Sequence, residues 1–295
     1  MRGLSGNSRG IIMMMLATAC FTTNDTLIKL AMADVPPFEA LMLRGIGATV
    51  LGIPLLASMG YLKFIPLMLE PRIQLRNLLE LTAAMGFIFG LAHVPIADLT
   101  ALSQLSPILL LVGATIFFAE KLTRLQIALV VVAFVGAVLV AQPGAASFSP
   151  LTLMGLWSAV AVAARDLVAR KIRLEVPSIV IALGAGVIEI FGAGIASLLF
   201  EHWRMPTLNA VLFAFCSAAF LIAAQWLLIG AYRVASVGAV VPFIYVATVW
   251  SLIAGVLVFG TLPNGLAFIG MALIMVSGVA GLVIERWPRK IIVSP

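Results

Sequence analysis

The stretch NDTLIKLAMADVP, residues Asn24 to Pro36, returns in altered form as RDLVARKIRLEVP, residues Arg165 to Pro177. At an offset of 141 residues Asp25 falls on Asp166, Lys29 on Arg170, Asp34 on Glu175, Val35 on Val176 and Pro36 on Pro177. A charged phrase repeated half a length apart is unexpected in this chain, which is 63% hydrophobic and 10% charged, with a mean hydropathy of +1.18. A soluble domain carries roughly 25% charged residues. Too few polar side chains remain to cover a water-facing surface, so the bilayer is the expected solvent for most of the chain.

Working outward from the phrase, apolar runs near twenty residues long are candidate spanning helices, because about 20 residues at 1.5 Å rise cross the hydrocarbon core. Ten are expected, at about 10–32, 38–59, 75–95, 97–118, 124–141, 151–169, 178–199, 208–230, 235–259 and 264–284. They lack the period-two alternation of barrel strands. The N-terminal run resembles a signal peptide, but it is long and forms half of the repeat, so it is read as the first membrane helix. Cys20 and Cys216 lie in apolar runs and read as buried thiols, with no disulfide framework or metal site expected. The net charge of +6 does not imply nucleic acid, because the basic residues sit in short clusters between apolar runs. With the N-terminus inside, 15 of the 18 Lys and Arg fall on the inner side and Arg204 alone on the outer, with Lys29 and Arg44 intramembrane. Both termini are therefore expected to be cytoplasmic.

Five helices, an odd number, separate the two copies, so the second half enters the membrane from the opposite side. Residues 1–145 and 146–295 are read as two inverted five-helix repeats. Pro107 in helix four and Pro242 in helix nine correspond more loosely, each starting a long apolar helix. Oppositely inserted halves of one fold can exchange conformations around a midplane site, which is the basis of alternating access.

The phrases NDTLIK, LMLRGIGA, LAHVPIADLTALSQLSPILL, FFAEKLT and AAQWLLIGAYRVASVGAVVPFIYVATVWSLIAGVLVFGTLP resemble the drug/metabolite transporter superfamily, specifically its ten-helix EamA-type members. The resemblance implies an all-α integral membrane fold with a central cavity lined by helices one, three, four, six, eight and nine. It also implies a monomeric functional unit and export of an amino acid or related metabolite across a bacterial-type inner membrane. One departure is Thr261, where the second half of the family usually has an acid; Glu120 keeps the acid in the first half, which favours a turn-capping role for it.

A charge in hydrocarbon costs on the order of 2.5–3.5 kcal/mol on insertion scales, so each intramembrane charge needs a partner or water. Asp25 and Lys29 share a helix face and can pair, either as a relay or substrate contact on the path or as a stabilising pair with Lys29 snorkelling outward. Arg44 is expected to pair with Asp25 or Asp98, and Glu80 with Arg76. Glu189 stands mid-helix in GVIEIFGAG, either protonated or paired to another helix. If protons are the coupling ion, Asp25 and Glu189 are the candidates. The substrate candidates are Asn24, Asp25, Lys29, Gln104, Ser106, Trp157, Gln225, Tyr245, Thr248 and Trp250, with Ser251 beside them. Amides and hydroxyls orient a polar solute without holding it too tightly, and the aromatics supply a stacking wall. Interhelical hydrogen bonding and packing are the competing readings. Gly86 and Gly90 have the spacing that lets helices approach.

No catalytic constellation, phosphate loop or metal cluster appears, so no cofactor is expected. The resulting reading is a secondary transporter of small organic solutes. A membrane-embedded enzyme acting on a lipid or prenyl chain, and a non-transporting subunit, are the alternatives.

Overall fold

The computed structural model describes residues 6–118, 124–142, 149–169, 172, 176–235 and 240–285. The described residues are helical, with no strand among them. The helices are α1 (Gly6–Ala31), α2 (Pro37–Ser58), α3 (Pro71–His93), α4 (Ile96–Ser103), α5 (Ser106–Phe118), α6 (Arg124–Ala141), α7 (Leu153–Ala169), α8 (Ser178–Phe200), α9 (Leu208–Val234), α10 (Val246–Phe259) and α11 (Gly265–Glu285). Three 3-10 segments, Leu62–Leu69, Pro150–Thr152 and Val241–Tyr245, join them. Seven spans are long and apolar enough to cross a membrane, and three shorter apolar helices lie at Ile127–Val140, Phe243–Phe259 and Gly265–Ser277. Helices suit this role because every backbone donor and acceptor is satisfied within the segment.

Two expectations are revised. The fourth helix is broken rather than continuous. The Leu105 N–H reaches back only to Leu102 O, and Pro107 has no N–H to offer the turn before it. The ninth helix does not run unbroken from residue 235. Ala235 is extended and ends α9, residues 236–239 lie outside the described set, and the chain re-enters through the 3-10 turn at Pro242. The connection from α2 to α3 contains the 3-10 turn Leu62–Leu69, whose Phe64, Leu67 and Met68 pack on the cluster of Leu56, Ile73, Val176, Val180 and Leu183. Gly60 has φ 72°, a left-handed conformation that lets Tyr61 N–H reach back to Leu56 O and end α2.

The packing has a regular pattern. α1 lies on α9 and α3 on α7, while α2 pairs with α8, α4 with α10 and α6 with α11. In addition α2 touches α9 as α3 touches α8, and α1 touches α10 as α4 and α5 touch α7. Exchanging α1–α6 for α7–α11 in order, with α4 and α5 as one span, turns this set of pairs into itself. Gly45 and Gly186, separated by the same 141 residues as the repeated phrase, meet at the α2–α8 contact. A Cβ on Gly45 would stand 3.1 Å from Gly186 O. Gly86 and Gly90 do admit close packing: Cβ atoms there would meet Trp157 and Met154 of α7 at 2.4 and 2.9 Å. The thiols differ from expectation, because Cys20 is half-buried and Cys216 exposed on the outside of α9.

Candidate functional site

The two interrupted spans cross each other at their breaks. Gln104, the residue that ends α4, donates from Nε2 to Ile244 O in the 3-10 turn, at 3.1 Å. Toward the other end of the crossing, a Cβ on Gly255 of α10 would touch Ile96 Cγ2 at 3.5 Å. Ile96, Thr100 and Gln104 are spaced four apart, and Thr248, Ser251 and Gly255 three and four apart, so each set lies on the face its helix turns to the other. Tyr245, 1% exposed, sits at the start of α10. Three hydroxyls here, of Thr100, Tyr245 and Thr248, are buried without a protein partner. Each such group forgoes about 1–3 kcal/mol unless something polar meets it.

α1 brings a polar stripe to the same region. Thr18, Thr22, Asp25 and Lys29 follow one another at spacings of four, three and four. The stripe is aimed by Lys29, whose Nζ donates to Val94 O at 2.7 Å and lies 5.1 Å from the centre of the Phe259 ring of α10. Asp25 and Lys29 are therefore not the ion pair expected from their spacing, since the lysine is drawn to a carbonyl at the end of α3. Thr18 and Thr26 turn their hydroxyls onto Met15 O and Thr22 O within the helix.

Two ionic groups hold helices together. Arg44 Nε meets Glu189 Oε1 at 3.0 Å, with side chains 8% and 10% exposed. This answers both open readings: Arg44 pairs with neither Asp25 nor Asp98, and Glu189 is not alone. The second group ties α3 to α7. Arg76 and Arg165 both reach Glu80 Oε2, at 2.9 and 2.6 Å, and Arg165 also reaches Asp166 Oδ1 at 2.8 Å. Asp98 lies in the first turn of α4, where a carboxylate favours the helix dipole.

The remaining candidates are dispersed. Asn24 turns to α9, where Ser217 Oγ donates to its Oδ1 at 2.7 Å, and its own Nδ2 donates to Asp25 Oδ1 at 2.9 Å. Trp157, 52% exposed, covers Gly86 and donates to Thr82 O at 3.2 Å, bracing α7 on α3. Trp250 is two residues from Thr248 and so on the opposite side of α10. Ser106 opens α5 and Gln225 is half-buried on α9. Glu120, Arg170 and Glu175 lie outside the described residues.

Thr100 and Ser217 were missed by sequence reasoning. Thr100 had a usable signal, one turn before Gln104 on the same face. Ser217, in FCSAAF, had none, because a small hydroxyl in an apolar run looks like packing. Also missed was the set of contacts at the α1–α2 and α8–α9 turns. There Glu201 accepts from the N–H groups of Phe38 and Glu39, Glu39 Oε2 accepts from Arg204 N–H, and Thr207 Oγ1 donates to Asp34.

Two interrupted helices thus meet at buried hydroxyls without a protein partner. The profile of the EamA-like transporter family matches residues 8–142. Over residues 8–142 the chain is EamA-like. It is similar to a riboflavin transporter of Vibrio cholerae, 28% identical over 219 residues, 73% of this chain and 72% of that one. An S-adenosylmethionine uptake transporter of Rickettsia bellii is 26% identical over 275 residues, 91% of each chain. The pseudopaline exporter CntI of Pseudomonas aeruginosa is 27% identical over 176 residues, 57% of this chain and 60% of that one. One solved protein crystal structure superposes with a TM-score of 0.64 at 21% identity, covering 94% of this chain and 97% of the other; at that identity it speaks for the fold. The EamA-like chain is a membrane transporter of small molecules and not an enzyme.

Proposed function

We propose that this EamA-like chain carries small organic metabolites by alternating access between two inverted five-helix halves, 1–145 and 146–295, with the solute seated where α4–α5 crosses α10. The observation that carries the reading is the crossing itself. Gln104 is bonded to Ile244 O, and the hydroxyls of Thr100, Tyr245 and Thr248 point into protein with no protein partner. Interrupted helices at the boundary between repeats are where transporters bind solutes, because freed backbone and side-chain groups there meet a ligand instead of lipid. The pairing of helices that survives exchange of the halves, and the Gly45–Gly186 approach, support a two-fold arrangement. Ten spans follow if the three shorter apolar helices, two of them within the segments 243–259 and 265–277, also cross.

Substrate class and direction are finer parts of the same reading. Export of amino acids or related solutes is the direction the exporter relative supports, while cytoplasmic termini in a bacterial-type inner membrane rest on the Lys and Arg bias, with a monomer as the working unit. The riboflavin and S-adenosylmethionine relatives support carriage of larger heterocyclic metabolites instead. Counterflow decides among them, since it reads exchange regardless of direction. Proteoliposomes preloaded with unlabelled amino acids, riboflavin or S-adenosylmethionine should accumulate the matching labelled compound in at least one case. Thr248→Val should cut that accumulation by about tenfold, the loss of one or two solute hydrogen bonds, with unchanged thermal stability. If nothing in the panel exchanges above empty liposomes, the transport assignment at this site fails.

A further inference from the structure

We propose that Asp25 is a site for an exchangeable cation, aimed by Asn24 and Ser217, and that its repeat mate Asp166 is a fixed structural anion. The proposal deepens the transport reading above and rests on it. At the 141-residue offset Asn24 corresponds to Arg165, Asp25 to Asp166, and Ser217 of α9 to Arg76 of α3. The two positions are built alike. In each, the residue before the aspartate donates to that aspartate's Oδ1, at 2.9 Å in both copies, while bridging to the helix packed alongside. Asn24 bridges to Ser217, and Arg165 to Glu80.

What differs is charge. The α3–α7 group contains Arg76, Glu80, Arg165 and Asp166, two bases and two acids, and is closed on itself. The α1–α9 clamp is neutral apart from Asp25, and among the described residues no base lies within ion-pair distance of that carboxylate. Arg44 of α2 acts on Asp25 through space, but its guanidinium is committed to Glu189. Glu80 of α3 in turn acts on Arg44. Lys29, on the same helix, is held at Val94 O and the Phe259 ring. Tyr245 is the titratable group of the adjoining 3-10 turn, and α10 has no charged residue. Half-buried Asp25 and the buried pair Arg44 and Glu189 thus form a set with two acids and one base. In hydrocarbon a net negative charge is costly, and it is relieved by one mobile positive charge, either a proton or the cationic group of a solute.

A hydrophobic carbodiimide tests this without any transported solute, because it adds only to a carboxyl carrying its proton. The purified full chain is treated with dicyclohexylcarbodiimide over a range of pH, and adducts are mapped by peptide mass spectrometry. Labelling at Asp25 that falls as pH rises and is indifferent to tetramethylammonium chloride identifies the cation as a proton. Labelling that falls as pH rises and is also suppressed at fixed pH by tetramethylammonium chloride, and not by sodium chloride, identifies an organic cation sharing the site. No labelling at Asp25 at any pH overturns the site, as does labelling that matches at Asp166. Ser217→Ala frees Asn24 to turn its Nδ2 away from Asp25, so it should raise Asp25 labelling about threefold, the worth of that Asn24 hydrogen bond to the charged form, and Ser217→Thr should restore it. Wild-type labelling in Ser217→Ala, with its melting temperature unchanged, removes the positioning role. Labelling as expected without counterflow sinks the transport assignment alone, and counterflow without labelling sinks this one alone.

Discussion

At the residue scale, the buried pair Arg44–Glu189 shows how an intramembrane charge is tolerated. Both side chains are removed from water, and arginine keeps its charge under these conditions, so the pair stands or falls together. Removing one partner leaves the other unpaired in a low-dielectric interior, a loss of about 3–5 kcal/mol. Glu189→Gln should therefore lower the melting temperature of the detergent-solubilised protein sharply. Arg44→Met with Glu189→Met should recover most of the loss, because a well-packed apolar pair replaces a buried ion pair at little cost. A double variant no more stable than Glu189→Gln would mean that the pair does more than hold α2 to α8. The sequence showed that Arg44 and Glu189 each need a partner but not that each is the other's. Nothing local reports that α2 and α8 lie together, and the nearer acid, Asp25, was the natural choice. Asp25 and Lys29 failed as a pair for a related reason. Their spacing permits an ion pair, but a free carbonyl at Val94 and the Phe259 ring offered the lysine more.

At the element scale, composition and run length made most of the helices legible, and the breaks less so. Pro107 and Pro242 were visible as repeat marks, yet they were read as helix starts rather than as interruptions. A proline inside an apolar run has both outcomes open, as Pro54, accommodated within α2, shows. Helix-to-helix contacts left a clearer signal in glycine. At the α6–α11 contact, a Cβ on Gly270 would stand 2.5 Å from Gly136 O and 2.9 Å from Val140 N. Both are backbone atoms that cannot swing aside. Gly270→Ala should force the helices apart and destabilise the protein by about 1–3 kcal/mol. Gly265→Ala, five residues earlier and with nothing within 4 Å, should leave stability unchanged. Thermal unfolding of the two variants side by side makes the comparison, and equal stability would mean that α6 and α11 separate freely.

At the scale of the whole molecule, the repeated phrase carried the argument for two halves, while the side of the membrane rested on charge alone. The two turns that join α1 to α2 and α8 to α9 are tied across the halves by Glu201 at the start of α2 and by Thr207 at Asp34. The 3-10 turn after α2 instead packs its apolar side on α8 and leaves Lys63 exposed. If Lys and Arg mark the cytoplasmic face, these two ends of the molecule lie on opposite sides, with Lys63 inside and His202 outside. In a chain whose Cys20 and Cys216 are replaced by alanine, Lys63→Cys should react with a membrane-impermeant maleimide only in inside-out vesicles. His202→Cys should react only in intact cells. The same pattern at both positions would break the inverted arrangement, since 63 and 202 follow α2 and α8, the corresponding helices of the two halves. Opposite exposure of corresponding turns is the property that the proposed alternating access requires.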